Sequence, residues 1–399
     1  FFCSRSFSKM PPKEETIPIS AVQGKGFLYD ATTTTYGTRR ASKTLTEESK
    51  RTKRQQLYSC VKHRYPLEYY SQGYYHLFIY AAFAIASYTT LVSSGPYISN
   101  PGILLALCSV LAWSVYCLWM VGHDCYHHTM APNKTVNEVL GFITMDCLIT
   151  SKETWKVAHH KIHHRVTCAK EPVEDRQILI GNFVFTETLN IIYTILSYWA
   201  KDCVQFVSCP TVKRLVALLV RFSFYLQLPG NALVGFVFLL AVFSNYIGLL
   251  THAMPFIPET TKGSGTKCGD DGGHLHQMRT SNDIFPQSTF WLFFSGALNC
   301  HVVHHVLPSL PRSLHSTFAQ KISDLYPNEY RAVHSTRELV SLFLLRHEVP
   351  TNNMQMKELW QIVAKRGPFP AMKQLFWDIS SLLVLAYIVS CIPPEPMLS

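Results

Sequence analysis

Apolar residues in this chain gather into long blocks, unlike the broken stripes of soluble helices. Leu77–Val92 and Gly102–Val121 carry no charged residue. A membrane-crossing helix needs about 20 such residues. The short uncharged stretch Ser93–Pro101 between them predicts a helical hairpin through a bilayer. A second pair follows, Leu215–Leu228 and Ala232–Leu250, joined at Leu228-Pro-Gly-Asn231, a turn signal. Arg221 interrupts its first limb. A mid-membrane cation is costly, so Arg221 is expected to snorkel or to pair within protein. Glu138–Thr150 is too short to span. Phe183–Ala200, with Glu187 and Asn190, reads as an interfacial helix. Thr260–Gly273 reads as a flexible loop, and 284–300 is aromatic and apolar. The expected fold is an all-α integral membrane protein with two transmembrane helical hairpins, about four spans, and a cytoplasmic helical cap. Residues 1–70 form a basic, mostly disordered cytoplasmic arm, 71–345 the membrane domain, and 346–399 a tail. The tail's apolar segment 375–392 is either a further span or a surface helix.

Composition supports a membrane setting. Hydrophobic residues make up 48% and charged residues 16%, against roughly 25% charged in soluble domains. The net charge of +10 is concentrated outside the apolar blocks, notably in Arg39–Arg64. Such a basic flank marks a cytoplasmic face beside anionic lipid. No aromatic-basic recognition motif accompanies it, which argues against nucleic acid as a partner. The 12 cysteines include no CxxC pair and read as reduced, structural residues. The chain opens on Phe1 instead of Met, so its start reads as incomplete, with Met10 a candidate initiator.

The remaining signal is histidine. Eight of the 18 histidines fall in three boxes: His123 and His127; His160, His163 and His164; His301, His304 and His305. On an α-helix, residues at i, i+3 and i+4 share one face, so each box presents its imidazoles to one point. Eight imidazoles are too many for one metal but suit two. Zinc is redox-inert, and the carboxylate base of a hydrolytic HExxH motif has no counterpart in these boxes. Two irons fit better, with O2 as co-substrate. Because an even number of crossings separates the second and third boxes, all three can meet on one membrane face. His128 and His159 extend their boxes toward other faces and read as supporting residues. His252 and His276 are candidate additional ligands. His63, His76, His315, His334 and His347 read as ordinary. Asp124 lies on a face next to the first box, and Cys125 inside that box is not needed as a ligand.

Three stretches carry a resemblance: Gly122-His-Asp-Cys-Tyr-His-His128, Trp155-Lys-Val-Ala-His-His-Lys-Ile-His-His164 and Leu298-Asn-Cys-His-Val-Val-His-His-Val-Leu-Pro-Ser-Leu-Pro-Arg312. With 37 residues from His123 to His160, the chain resembles the membrane fatty-acid desaturases over about residues 75–335. Gln277-Met-Arg-Thr-Ser-Asn282 and the ending of the third stretch look like the branch that includes front-end enzymes. His301 at the head of the third box looks instead like the methyl-end enzymes. No His-Pro-Gly-Gly haem signature, and so no fused cytochrome b5 domain, is present in these residues.

The resemblance implies an O2-dependent enzyme that sets a cis double bond into a lipid-linked or CoA-linked acyl chain. It implies a separate electron donor, cytochrome b5 or ferredoxin, and the endoplasmic reticulum membrane with the boxes facing the cytoplasm. Trp155, Phe285, Trp291 and Phe294 are candidates to line an acyl tunnel. Two rivals stay open: a hydroxylase or ketolase using the same site, and a histidine-lined metal transporter, which would want its ligands inside the spans.

Overall fold

The computed structural model describes residues 47–61, 65–164, 183–251, 274–336 and 338–339, all of them within the unit Glu47–Ser399. Among these the protein is almost wholly helical. Helix α1 is Glu47–Ser59; a 3-10 turn, Leu67–Tyr70, leads into α2, Ser71–Ser94. Helix α3 is Pro101–Tyr126. Asn100 caps α3 by accepting hydrogen bonds from the backbone N–H groups of Gly102 and Ile103 at 2.9 and 3.3 Å, and Pro101 sits at the first helical position, where a missing N–H costs nothing.

Both α3 and Leu67–Ser94, which contains α2, are long and apolar enough to cross a membrane. The apolar window of α3 is 56% buried and that of Leu67–Ser94 22%, so α3 is the central helix and α2 the peripheral one. The core around α3 joins Tyr80, Leu111, Val115, Tyr116, Phe236 and Leu240.

The short helix α4, Lys134–Gly141, runs into a π-helical turn at Phe142–Asp146. Helix α5, Lys152–Lys156, runs into a second π-helical segment, Val157–His163. Then come α6, Phe183–Ser208, α7, Val212–Leu226, and α8, Gly230–Thr251. The remaining elements are α9, His274–Thr280; β1, Asp283–Ile284; α10, Thr289–Phe294; α11, His301–Val306; α12, His315–Leu325; and β2, Ala332–Val333, which pairs in parallel with β1.

The second helix pair departs from two simple spans. Helices α7 and α8 meet at 115°, and they pass for a membrane crossing only as a joint, bent unit. The described residues therefore hold two membrane-capable helices, or three with the bent pair. Arg221, in the middle of α7, is received by protein. It is 1% exposed and donates to Asp202 of α6 at 2.8 Å and to the carbonyl of Asp146. Helix α7 thus packs its middle against a polar protein cluster, as a buried charge requires.

Within the stretch read as the arm, Glu47–Ser59 is helical. Leu57 is fully buried with Val302, Val303, Val306, Phe318 and Tyr326, and Lys53 Nζ donates to the Leu325 carbonyl at 2.5 Å. The helix is thus pinned beneath the third histidine box. The expected segment at 375–392, and His63 and His347, lie outside the described residues.

Candidate metal centre

The first box closes helix α3. His123 and His127 are one turn apart, with ring centroids 4.7 Å from each other. His128 follows at φ 62°, a left-handed conformation that ends a helix and that His tolerates better than most residues. Its exposed ring lies outside the metal-capable groups. Gly122 lets the helix approach its neighbour: a Cβ there would lie 2.6 Å from Met145 Cβ.

The second box sits on the π-helical segment after α5. Ser151 caps α5, and Asp202 of α6 accepts from Ser151 N, Ser151 Oγ and Thr154 Oγ1 at 2.8, 2.6 and 2.6 Å. Arg221 balances the charge of Asp202. In a π-helix the hydrogen bonds run i to i+5, so residues five apart come together. His159 and His164 do so, with Nε2 atoms 3.0 Å apart.

The third box occupies α11, whose first turn is held by Asp283: its Oδ1 accepts from the Val302 N–H at 2.7 Å, and its Oδ2 accepts from Tyr330 Oη at 2.7 Å.

The three boxes converge. The side-chain nitrogens of His123, His127, His159 and His304 lie within 4.8 Å of one another, and those of His163, His301 and His305 form a second such group. His160 packs against His127, with ring centroids 4.5 Å apart. His164 lies between the groups, 5.0 Å from His304 and 4.6 Å from His305. All eight box histidines therefore gather, and His159 joins them. The indole of Trp155 stacks on His159 at 4.6 Å and meets His127 and His160 edge-on at 5.5 and 4.8 Å.

Burial favours the neutral form at five of them. His127, His159 and His304 are pushed well below the usual histidine range, first by burial and then by neighbouring imidazoles. His160 is lowered to about 4, first by burial and then by His123, Lys156, His128 and Lys152, and His164 to about 3 by burial, His123 and His160. A neutral imidazole keeps the lone pair that a metal needs.

The donor set fits a metal in two further ways. The Nε2 atoms of His127, His160 and His304 are buried and have no hydrogen-bond partner, an expensive state unless something else takes their lone pairs. His123 Nε2 and His159 Nε2 are 2.9 Å apart, close to the about 3 Å that separates adjacent ligands at right angles on a metal with bonds of ~2.1 Å.

Sequence reasoning missed several supporting residues. Asp124 accepts from His123 Nδ1 at 3.0 Å and binds Arg312 through Nε and Nη2 at 3.0 and 2.6 Å. Arg312 in turn donates to His76 Nδ1 at 3.4 Å, and His315 is buried nearby, donating from Nε2 to the Leu310 carbonyl at 3.2 Å. His76 and His315 are thus less ordinary than their isolation in the chain implied. Gln277 bridges His305 and the backbone of His164. His252 and the side chain of His276 lie outside the described residues. Of the tunnel candidates, Trp155 lies on the cluster, while Phe285, Trp291 and Phe294 form a separate aromatic group.

The model of the family described as "Fatty acid desaturase" matches residues 101–337, a stretch that runs from the first residue of α3 past β2 and contains every histidine of the cluster. The chain belongs to the fatty acid desaturase family. This desaturase-family chain is 25% identical over 119 residues to an oleoyl-12-hydroxylase of Ricinus communis, across 27% of this chain and 29% of that protein. It is 34% identical over 62 residues to a Delta(12) fatty acid desaturase of Calendula officinalis, across 13% of this chain and 16% of that one. It is 23% identical over 244 residues to an sn-1 linoleoyl-lipid 6-desaturase of Synechocystis sp., across 51% of this chain and 67% of that protein. The first two matches cover less than a third of those relatives.

Proposed function

We propose that this desaturase-family protein is an O2-dependent fatty-acyl desaturase that sets a cis double bond into a lipid-linked or CoA-linked chain. The observation that carries the reading is the convergence of three boxes, far apart in sequence, into two adjoining histidine groups within the family-matched region. His123, His127, His159 and His304 would hold one iron, and His163, His301 and His305 the other, with His160 and His164 at their margins.

Two reduced irons bound there supply the power to activate O2 for removal of hydrogen from an unactivated C–H bond. Overall, –CH2–CH2–, O2, two electrons and two protons yield –CH=CH– and two waters. The electrons come from a separate donor, cytochrome b5 or a ferredoxin. The chain's own residues do the rest. The α3 and α11 helices and the π-helical segment fix the imidazoles, Asp124 and Gln277 orient them, and Trp155 covers one side against water. On this reading the centre faces the cytoplasm, in the endoplasmic reticulum, a side that the basic flank before the first apolar block supports.

A hydroxylase outcome is the second reading, because the Ricinus communis relative carries that activity in its name. Expression of the full chain in yeast, with and without His163→Ala and His164→Ala, followed by fatty-acid methyl-ester profiling, separates the two. A new unsaturated product that vanishes in the variant supports desaturation. A hydroxylated product replaces it with the second reading.

A further inference from the structure

The two histidine groups are served by chemically different hydrogen-bond partners. In the first, the Asp124 carboxylate can only accept, so the proton of His123 must sit on Nδ1. The lone pair then lies on Nε2, which faces His159 at 2.9 Å. The other oxygen of Asp124 is taken by Arg312, and the His76 ring closes the far side of the guanidinium. Asp124 and Arg312 are both buried. The lock ties α3, α2 and the turn after α11 together.

In the second group His305 has a neutral partner. Gln277 Nε2 donates to the carbonyl of His164 at 2.5 Å, and a carbonyl cannot donate. This fixes the amide so that its Oε1 faces His305 Nδ1, and that nitrogen carries the proton. The lone pair of His305 again lies on Nε2. Gln277 comes from α9, an element with no histidine box of its own, and joins the end of the second box to the third.

We propose that Asp124, backed by Arg312, and Gln277 are positioning residues, each for its own half of the centre, so that loss of either loosens one metal and spares the other. The inference rests on the di-iron reading above. Carboxylate and amide partners of metal-bound histidines fix the tautomer and ring, and their removal costs ~10–100-fold in metal affinity.

The test uses the purified full-length protein loaded with ferrous iron, with release to a chelator followed by absorbance and the sites followed by Mössbauer spectroscopy. The variants are Asp124→Leu with Arg312→Met, which removes both charges together, and Gln277→Leu. Thermal unfolding monitors the fold. Each variant is expected to release one iron per chain at ~10–100-fold lower chelator than the other, and to shift one Mössbauer doublet, a different one in each case. Gln277→Glu keeps the acceptor for His305 Nδ1 but loses the donor to the His164 carbonyl, so it should recover the wild-type release only in part.

Where a variant does not fold, Asp124→Asn serves in its place; it should shift the first doublet alone. Unchanged release in folded variants, or loss of both irons together, overturns the proposal. If the wild type itself takes up no iron, the di-iron reading fails, and the inference goes with it.

Discussion

The second and third boxes share the letters HxxHH but divide their histidines differently. Box three is an α-helical turn. His301 and His305, four apart, point to one metal-capable group, while His304 points to the other. Box two is a π-helical segment. Here His163 joins the group of His301 and His305, and His159, outside the motif, joins the group of His304. The same spacing thus presents different faces because the helical register differs. A histidine motif specifies ligands only once the helix type is known.

The supports differ as well. Box three is capped directly by the Asp283 carboxylate on the Val302 N–H. Box two is held one step back, at Ser151 and Thr154, by an Asp202 that is itself paired with Arg221.

The sharpest way to break this comparison is at its odd member. His159→Ala is expected to lower product formation at least as far as His304→Ala, by ~100-fold or more, as loss of a ligand or its close partner should. His128→Ala, on an exposed residue, should leave product within about twofold. Product yields in yeast, normalised to protein level, check both. If His159→Ala behaves like His128→Ala, the π register has been misjudged as functional.

Next in size is the support of box two. Arg221→Met leaves the buried Asp202 without its cation, and such breaks cost about 3–5 kcal/mol. Thermal unfolding in detergent should show a large drop, relieved when Asp202→Asn is added. A drop that Asp202→Asn does not relieve would mean that Arg221 acts by bulk alone.

Smaller again is the packing of box one. Gly122→Ala pushes a methyl into Met145 and Thr144, and over-packing of this kind costs about 1–3 kcal/mol. Iron uptake should weaken along with stability, because His123 is the next residue.

The smallest effect is pH dependence of the metal-free protein. His160 and His164 are held at about 4 and about 3 in the fold, below the unfolded value near 6.5. Between these values the unfolded chain binds more protons than the folded one, so stability rises with pH. It should be fully present above about 6.5 and fall as the pH drops toward 4 and below, as denaturant titrations at stepped pH would show.

Much of this was legible in the sequence. The apolar blocks Leu77–Val92 and Gly102–Val121 lie inside the two helices long and apolar enough to cross a membrane, because such helices need little but length and apolarity. The structure brings His123, His127 and His304 together with His159, and His163 together with His301 and His305. What escaped were features set by tertiary partners. Nothing in the letters before His160 announces a π register, so His159 read as facing elsewhere. Arg221 is expected to snorkel or to pair within protein, but no local pattern names its partners, Asp202 and Asp146, 19 and 75 residues away. Asp124, Arg312 and Gln277 were legible as letters of the motifs but not as partners, because the Asp124–Arg312 and Gln277–His305 pairs join different elements. A carboxylate beside a histidine box was the one clue, since metal-site histidines want an acceptor for the second ring nitrogen.

The central claim, that nine histidines on three helical turns enclose two metals, is tested most directly by the iron content of the purified full-length protein and its His159→Ala variant. The account predicts two irons per chain in the wild type and a weakened or missing one in the variant, with the fold intact. No iron in the wild type, or two equally firm irons in the variant, would contradict it.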